Sequence, residues 1–196
     1  MRRMELPWPL PEHTDLRDRL LAAYSDHRGY HDLRHLSEVL TRIAELGEAA
    51  NTEVVLAAWF HDAVYDDVGH NEERSAQLAL SELADIDGVD AEEVARLVRL
   101  TTTHSAGPDD RNGAVLCDAD LAILAAGPER YAEYVAGVRK EYAAFSLEEF
   151  RVGRLAILER LAMKRSLFHT DHATAAWGRA ARANLLAEIQ VLRDQL

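Results

Sequence analysis

From residue 15 to the C-terminus the apolar residues recur at spacings of three and four, and no stretch sustains the alternation of a strand. That period predicts helices over 15–24, 31–46, 52–64, 71–83, 91–103, 111–126, 129–142, 147–163 and from about 171 to the end. The separators are turn and stop signals: Arg28-Gly29, Gly47, Gly69, Asp87-Gly88, Gly107-Pro108 and Gly127-Pro128. Ser146 with Glu149 three residues later matches a capping box at the start of the eighth helix. With 196 residues, 48% of them hydrophobic, the chain can bury one sizeable core. No low-complexity linker, charge block or fixed repeat marks a second domain. The expectation is an all-α fold, a single-domain compact helical bundle of roughly nine helices spanning 1–196.

Charge and cysteine content narrow the function classes. Lys and Arg number 22 against 34 Asp and Glu, a formal charge of -12, which disfavours nucleic acid or an anionic membrane as the main partner. The opening MRRMELPWPLPEH carries Arg2 and Arg3, but Glu5 and Pro7-Trp8-Pro9 interrupt any apolar core of a leader. The apolar runs VVLAAWF and LAILAA are too short to span a bilayer, so the expected compartment is the cytoplasm. Cys117 is the single cysteine, so any metal site must be built from His and carboxylate.

The run Val54 to Phe60 ends directly in His61-Asp62, so two polar residues emerge from a helix that has to be buried. An unpaired buried carboxylate costs several kcal/mol, and the pair therefore needs a partner, of which a metal ion is one and a cap or salt bridge another. Two further helical segments bring matching groups. In GYHDLRHLSEVL, His31 and His35 lie four apart on one predicted helix face, and either could ligate. In AVLCDADLAIL, Asp118 and Asp120 bracket Ala119 where core residues are expected. Imidazole with carboxylate suits one divalent ion of the Mn, Fe, Co, Ni or Zn type, with Mg also open, better than it suits Ca.

The order His35, His61-Asp62, Asp120 resembles the H…HD…D signature of the histidine-aspartate (HD) superfamily of metal-dependent phosphohydrolases. RGYHDLRHL, AAWFHDAVYD, NEERSA, TTTH and CDADLAIL are similar to successive motifs of a bacterial subgroup of predicted HD phosphohydrolases, so the resemblance covers nearly the whole chain. It implies an all-helical HD-type fold in which His35, His61, Asp62 and Asp120 ligate the metal, while His31 and Asp118 stand behind the ligands or face the substrate. It also implies hydrolysis of a nucleotide or other small phosphate ester by a water that the metal acidifies. Related enzymes that cleave guanosine polyphosphates usually carry Glu-Asp where this chain has Tyr65-Asp66.

Around that set, Asp66, four residues after Asp62, is the candidate to orient water or move a proton, with Asp66-Asp67 as a plain polar helix end the alternative. His104, at the close of TTTH, is a second catalytic candidate lining the cleft. Phosphate would be met by Arg28, His31, Arg139 and Lys140, with Arg151 and Arg154 as further walls of the pocket. His169, His172, Trp8, Trp59, Trp177 and Cys117 read as capping or packing residues, and His70 and Glu72 as loop residues. Two other functions stay open: a di-iron oxygenase, for which only His70 and His104 could supply the extra ligands, and a nucleotide-binding protein without turnover.

Overall fold

A computed structural model describes residues 6–25, 28–66 and 69–196. Arg2, Arg3 and Glu5, on which the leader reading rests, and Asp67 lie outside the described residues. Among the described residues the chain is all-helical, as its periodicity predicts, with nine α-helices, one 3₁₀ turn and no strand. The α-helices are α1 (Thr14–Ala23), α2 (Leu33–Glu45), α3 (Thr52–Phe60), α4 (Asn71–Leu83), α5 (Ala91–Leu100), α6 (Arg111–Leu121), α7 (Pro128–Glu141), α8 (Leu147–Ala162) and α9 (Asp171–Asp194). The 3₁₀ turn, Ala122–Ala125, follows α6 directly. None of these helices is long and apolar enough to cross a membrane.

The chain divides into two compact units. The first comprises the described residues up to Ser25 together with His31–Asp120. Its centre is α3, in which every residue from Val54 to Phe60 is buried. Such a helix has no solvent face, so neighbours must cover it on all sides, and α2, α4 and α5 pack against it. Trp59 Nε1 donates to the Pro7 carbonyl at 2.8 Å, and the Trp8 ring meets the Trp59 ring edge-on at 5.0 Å, which closes one flank. Asparagine and aspartate caps start the helices: Asn51 Oδ1 accepts from Val54 N at 3.1 Å at the head of α3, and Asp90 Oδ1 from Glu93 N at 3.0 Å at the head of α5.

The second unit comprises Arg28–Tyr30 and Leu121–Leu196. Here α9 packs on the 3₁₀ turn and on α8, and Asn184 Nδ2 ties the turn down by donating to the carbonyls of Leu124 and Ala126 at 2.8 and 2.9 Å. Arg28–Tyr30 joins α7 at a glycine pair. A Cβ on Gly29 would come within 2.1 Å of the Gly137 carbonyl oxygen, while Gly29 N and Tyr30 N both donate to Glu141 Oε1, at 3.0 and 2.7 Å. Only glycine permits that approach.

Several helix ends differ from the periodic pattern, and each has a local cause. The apolar period runs on through 31–46, but Asp32 turns extended and accepts from Arg34 N and His35 N, so α2 starts at Leu33 and His31 lies outside it. At 52–64 the helix stops at Phe60, and His61–Ala63 form a turn. At 111–126 the last residues tighten into the 3₁₀ turn. Leu56 is fully buried at the middle of α3. Leu56→Ala is expected to cost about 2–5 kcal/mol, read as a lower urea midpoint with an unchanged slope; a loss under about 1 kcal/mol would show that α3 is not the centre of its unit.

Candidate metal centre

The end of α3 builds the centre. Continuing the helix would give the Ala58 carbonyl the Asp62 N–H, but the helix has ended and both groups take other partners. His61 Nδ1 lies 2.7 Å from the Ala58 oxygen, and Asp62 N donates to the Tyr24 hydroxyl at 3.3 Å. A carbonyl only accepts, so His61 Nδ1 carries the proton. In the neutral ring that leaves the Nε2 lone pair pointing away from the backbone, the tautomer a metal ligand needs.

His35 arrives from the first turn of α2, fixed by the Asp32 cap on its own backbone N–H. His35 Nε2 lies 3.1 Å from His61 Nε2, 3.2 Å from Asp120 Oδ1 and 3.5 Å from Asp62 Oδ2. His61 Nε2 lies 3.0 Å from Asp62 Oδ2 and 3.8 Å from Asp120 Oδ1. Two donors bound about 2.1 Å from a common ion stand about 3.0 Å apart at a right angle and about 3.4 Å apart at the tetrahedral angle. The observed separations cover that range. The buried group His35, His61 and Asp62 can hold a metal ion, and Asp120, at the end of α6, brings a second carboxylate to both imidazoles.

Electrostatics support the same reading. Burial disfavours charge on His35, yet the hydrogen bonds its imidazolium donates to Asp120 and Asp62 outweigh it and raise its pKa to about 10. His61 is also raised: burial opposes the imidazolium, and the Asp62 charge overcomes it. Burial would push the Asp62 and Asp120 carboxyls up, but the surrounding imidazoles hold both well below the ordinary range. The cluster thus demands positive charge, which protons or a divalent ion can provide. It is also asymmetric. The imidazoles are 2% exposed, whereas the side chains of Asp62 and Asp120 are 12% and 14% exposed, although the Asp62 Oδ2 that faces the imidazoles is itself buried.

The residues around the centre separate by place. His104 comes to it: its Nε2 lies 2.7 Å from Asp120 Oδ2, the oxygen turned from the other imidazoles. The chain makes this possible by leaving α5 through a turn and placing His104 in the left-handed region, φ 49°. His31 stacks on Tyr65 at 4.2 Å between centroids and meets the His35 ring edge-on at 5.5 Å. Asp118, two residues before Asp120 on α6, is fully buried. Asp66 is paired with a cation: its exposed carboxylate accepts from Arg74 Nη1 at 2.6 Å. His70 is exposed at the head of α4.

The NEERSA segment has a structural task that its sequence does not announce. Asn71 bonds the backbone of Asp66 on both sides, Oδ1 from its N–H at 3.4 Å and Nδ2 to its carbonyl at 3.1 Å. Fully buried Ser75 does the same for Val64, at 3.0 and 3.3 Å. With Arg74 on Asp66, one face of α4 holds the chain that follows His61-Asp62. Sequence reasoning also missed Tyr24 and Tyr65, whose rings give no periodic signal apart from the core.

The cations expected to meet phosphate belong to the second unit and already hold contacts there. Arg139 reaches the carbonyls of Tyr142 and Phe145 beyond the end of α7, at 2.5 and 3.0 Å, and Lys140 Nζ lies 3.4 Å from the Arg28 carbonyl. Arg154 is buried in a two-pronged ion pair with Glu188, at 2.8 and 3.2 Å, and Arg151 reaches the Gln195 carbonyl at 3.4 Å.

No family model, curated protein or solved structure matches the chain.

Binding of an ion has to expel the proton that His35 otherwise keeps at any pH below about 10, so affinity rises with pH. Between pH 6 and pH 8 the apparent affinity for Zn²⁺ or Mn²⁺ is expected to rise about tenfold per unit for each proton expelled, measured by calorimetric titration in two buffers that differ in protonation enthalpy. The carboxylates, held low, contribute no proton in that window. A pH-independent affinity would mean that the ion binds elsewhere.

Proposed function

We propose that this chain is a metal-dependent phosphohydrolase of the HD type, acting on a nucleotide or another small phosphate ester. The observation that carries the reading is the asymmetry of the donor cluster: His35, His61 and Asp62 are buried, whereas the Asp120 carboxylate that completes the group is only partly buried. A structural metal site closes its ion off on all sides, whereas a catalytic one keeps a position open for water or substrate. The motif order His35, His61-Asp62, Asp120 supports the phosphoester class through its resemblance to the HD signature.

His35, His61, Asp62 and Asp120 would hold a divalent ion, which would supply a water acidified toward neutrality and polarise a phosphoryl oxygen. The protein's own groups prepare that chemistry. The Ala58 carbonyl fixes the His61 tautomer, and His104 holds Asp120 by one oxygen so that the other stays aimed at His35. His31, held flat against Tyr65, offers an imidazole at the edge of the cluster. Asp66 serves first as the anchor of Arg74, and its part in proton transfer is the lesser of the two catalytic assignments.

A panel of nucleotides and sugar phosphates, incubated with protein loaded with Mn²⁺, Co²⁺ or Zn²⁺, should show phosphate release for at least one compound. His61→Ala and Asp62→Ala are expected to lose both bound metal and turnover, His104→Ala to lower turnover about 10–100-fold with the fold intact, and Asp66→Asn to change it less. Retention of full metal content and full turnover in His61→Ala would sink the reading. Metal binding without release of phosphate from any compound would instead favour a binding role for the same centre.

A further inference from the structure

Among the described residues every exposed large hydrophobic side chain lies at or beyond Tyr142, and α8 carries several of them, with Val152 at 55% and Ile157 at 44% exposure. The inner face of α8 is narrow, with Arg154 and Leu158 its buried residues. The outer face presents Glu149, Val152, Gly153, Ala156, Ile157 and Arg160, all exposed. Their spacing alternates three and one, which on a helix is a continuous seam rather than a scatter.

That seam is complementary to itself when reversed. Rotating α8 by a half-turn about a point midway between Gly153 and Ala156 exchanges Glu149 with Arg160, Val152 with Ile157, and Gly153 with Ala156. Acid then faces base, branched apolar faces branched apolar, and small faces small. The two small positions at the centre let helix axes come close, and a Cβ added at Gly153 would meet nothing within 4 Å of this chain. Arg160 has no ion pair or hydrogen bond among the described residues that would compete for it. Glu149 keeps its charge while its Oε2 accepts from Ser146 N and Oγ in the capping box.

We propose that α8 pairs antiparallel with α8 of a second copy of this chain, across a two-fold axis between Gly153 and Ala156. A two-fold contact uses the same patch on both partners, so self-complementarity of this kind is what it requires. A sixteen-residue helix is only about 24 Å long and falls short of the roughly 800 Å² that each partner contributes to a stable interface. The same rotation extends the contact at both ends, where exposed Met163, just past the end of α8, comes opposite Ser146 of the second copy, next to its exposed Phe145.

Sedimentation equilibrium tests the pairing. The wild-type chain should give about twice its 21.9 kDa mass at micromolar concentration. Ile157→Glu should give a monomer with unchanged helical circular dichroism. Arg160→Glu should weaken the dimer by about tenfold or more through two like-charge contacts, and the reversed pair Glu149→Lys with Arg160→Glu should recover it. Circular dichroism of the reversed pair checks that α8 survives loss of its cap. A single-chain mass up to about 100 µM, a dimer that persists in Ile157→Glu, or a well-folded reversed pair that fails to recover the dimer would each overturn the proposal.

Discussion

The bond between His61 Nδ1 and the Ala58 carbonyl is the interaction on which the buried His-Asp cluster depends. A helix buried from Val54 to its C-terminal end cannot end in water, so the groups released there need partners inside the protein. At α3 those partners are side chains of the cluster and its neighbour: the His61 ring takes the released carbonyl, and the Tyr24 hydroxyl takes the Asp62 N–H. One exchange both terminates the helix and sets the imidazole in the tautomer and direction that ligation needs. The cost of ending a helix in the core and the positioning of a ligand are thus met by the same contact.

Charge then explains why so many groups gather there. Four donor atoms from His35, His61, Asp62 and Asp120 meet within 3.0–3.8 Å of the imidazole nitrogens, and the two carboxylates stay ionised. Bringing these charges into a largely buried site is unfavourable unless a cation joins them. In the metal-free chain the proton on His35 does this, which is why its pKa climbs despite complete burial. A divalent ion satisfies more of the same donors at once. His104 adds a neighbour for the remaining oxygen of Asp120, the one that does not face His35.

The helices and the cluster differ in how far the sequence reveals them. Helical period and caps are local, so the nine segments, the Asp32 cap aside, and the Ser146–Glu149 capping box are readable from neighbours in the chain. The gathering of His61, Asp62 and Asp120 is foreshadowed because each interrupts an apolar run, and a polar residue in a buried helix needs an explanation; His35 is foreshadowed only by its spacing from His31. What is not readable is tertiary. Asp66 looks available until Arg74, eight residues on, reaches it, and the bonds from Asn71 and Ser75 depend on how α4 lies against the chain after α3. His104 reaches Asp120 through a left-handed backbone that β-branched Thr101–Thr103 gives no hint of. Arg154 resembles a surface cation in sequence, and only its burial against Glu188 takes it out of the pool of phosphate ligands.

The same Arg154 bears on why α8 is built inside out. Its guanidinium lies between Glu188 and the face of the Tyr134 ring, 4.9 Å from the centroid, and Glu188 Oε2 also accepts from the Tyr131 hydroxyl at 2.6 Å. This network links α7, α8 and α9 and leaves no buried polar atom of the pair without a partner. A buried ion pair, however, contributes little net stability once desolvation is counted. It specifies how the three helices meet more than it holds them together. With Leu158 as the fully buried apolar contact of α8, the helix gains less from its own unit than a typical amphipathic helix does. An outer seam of Val152, Ala156 and Ile157 makes physical sense on such a helix: the apolar burial that its inner face lacks is available from a second α8.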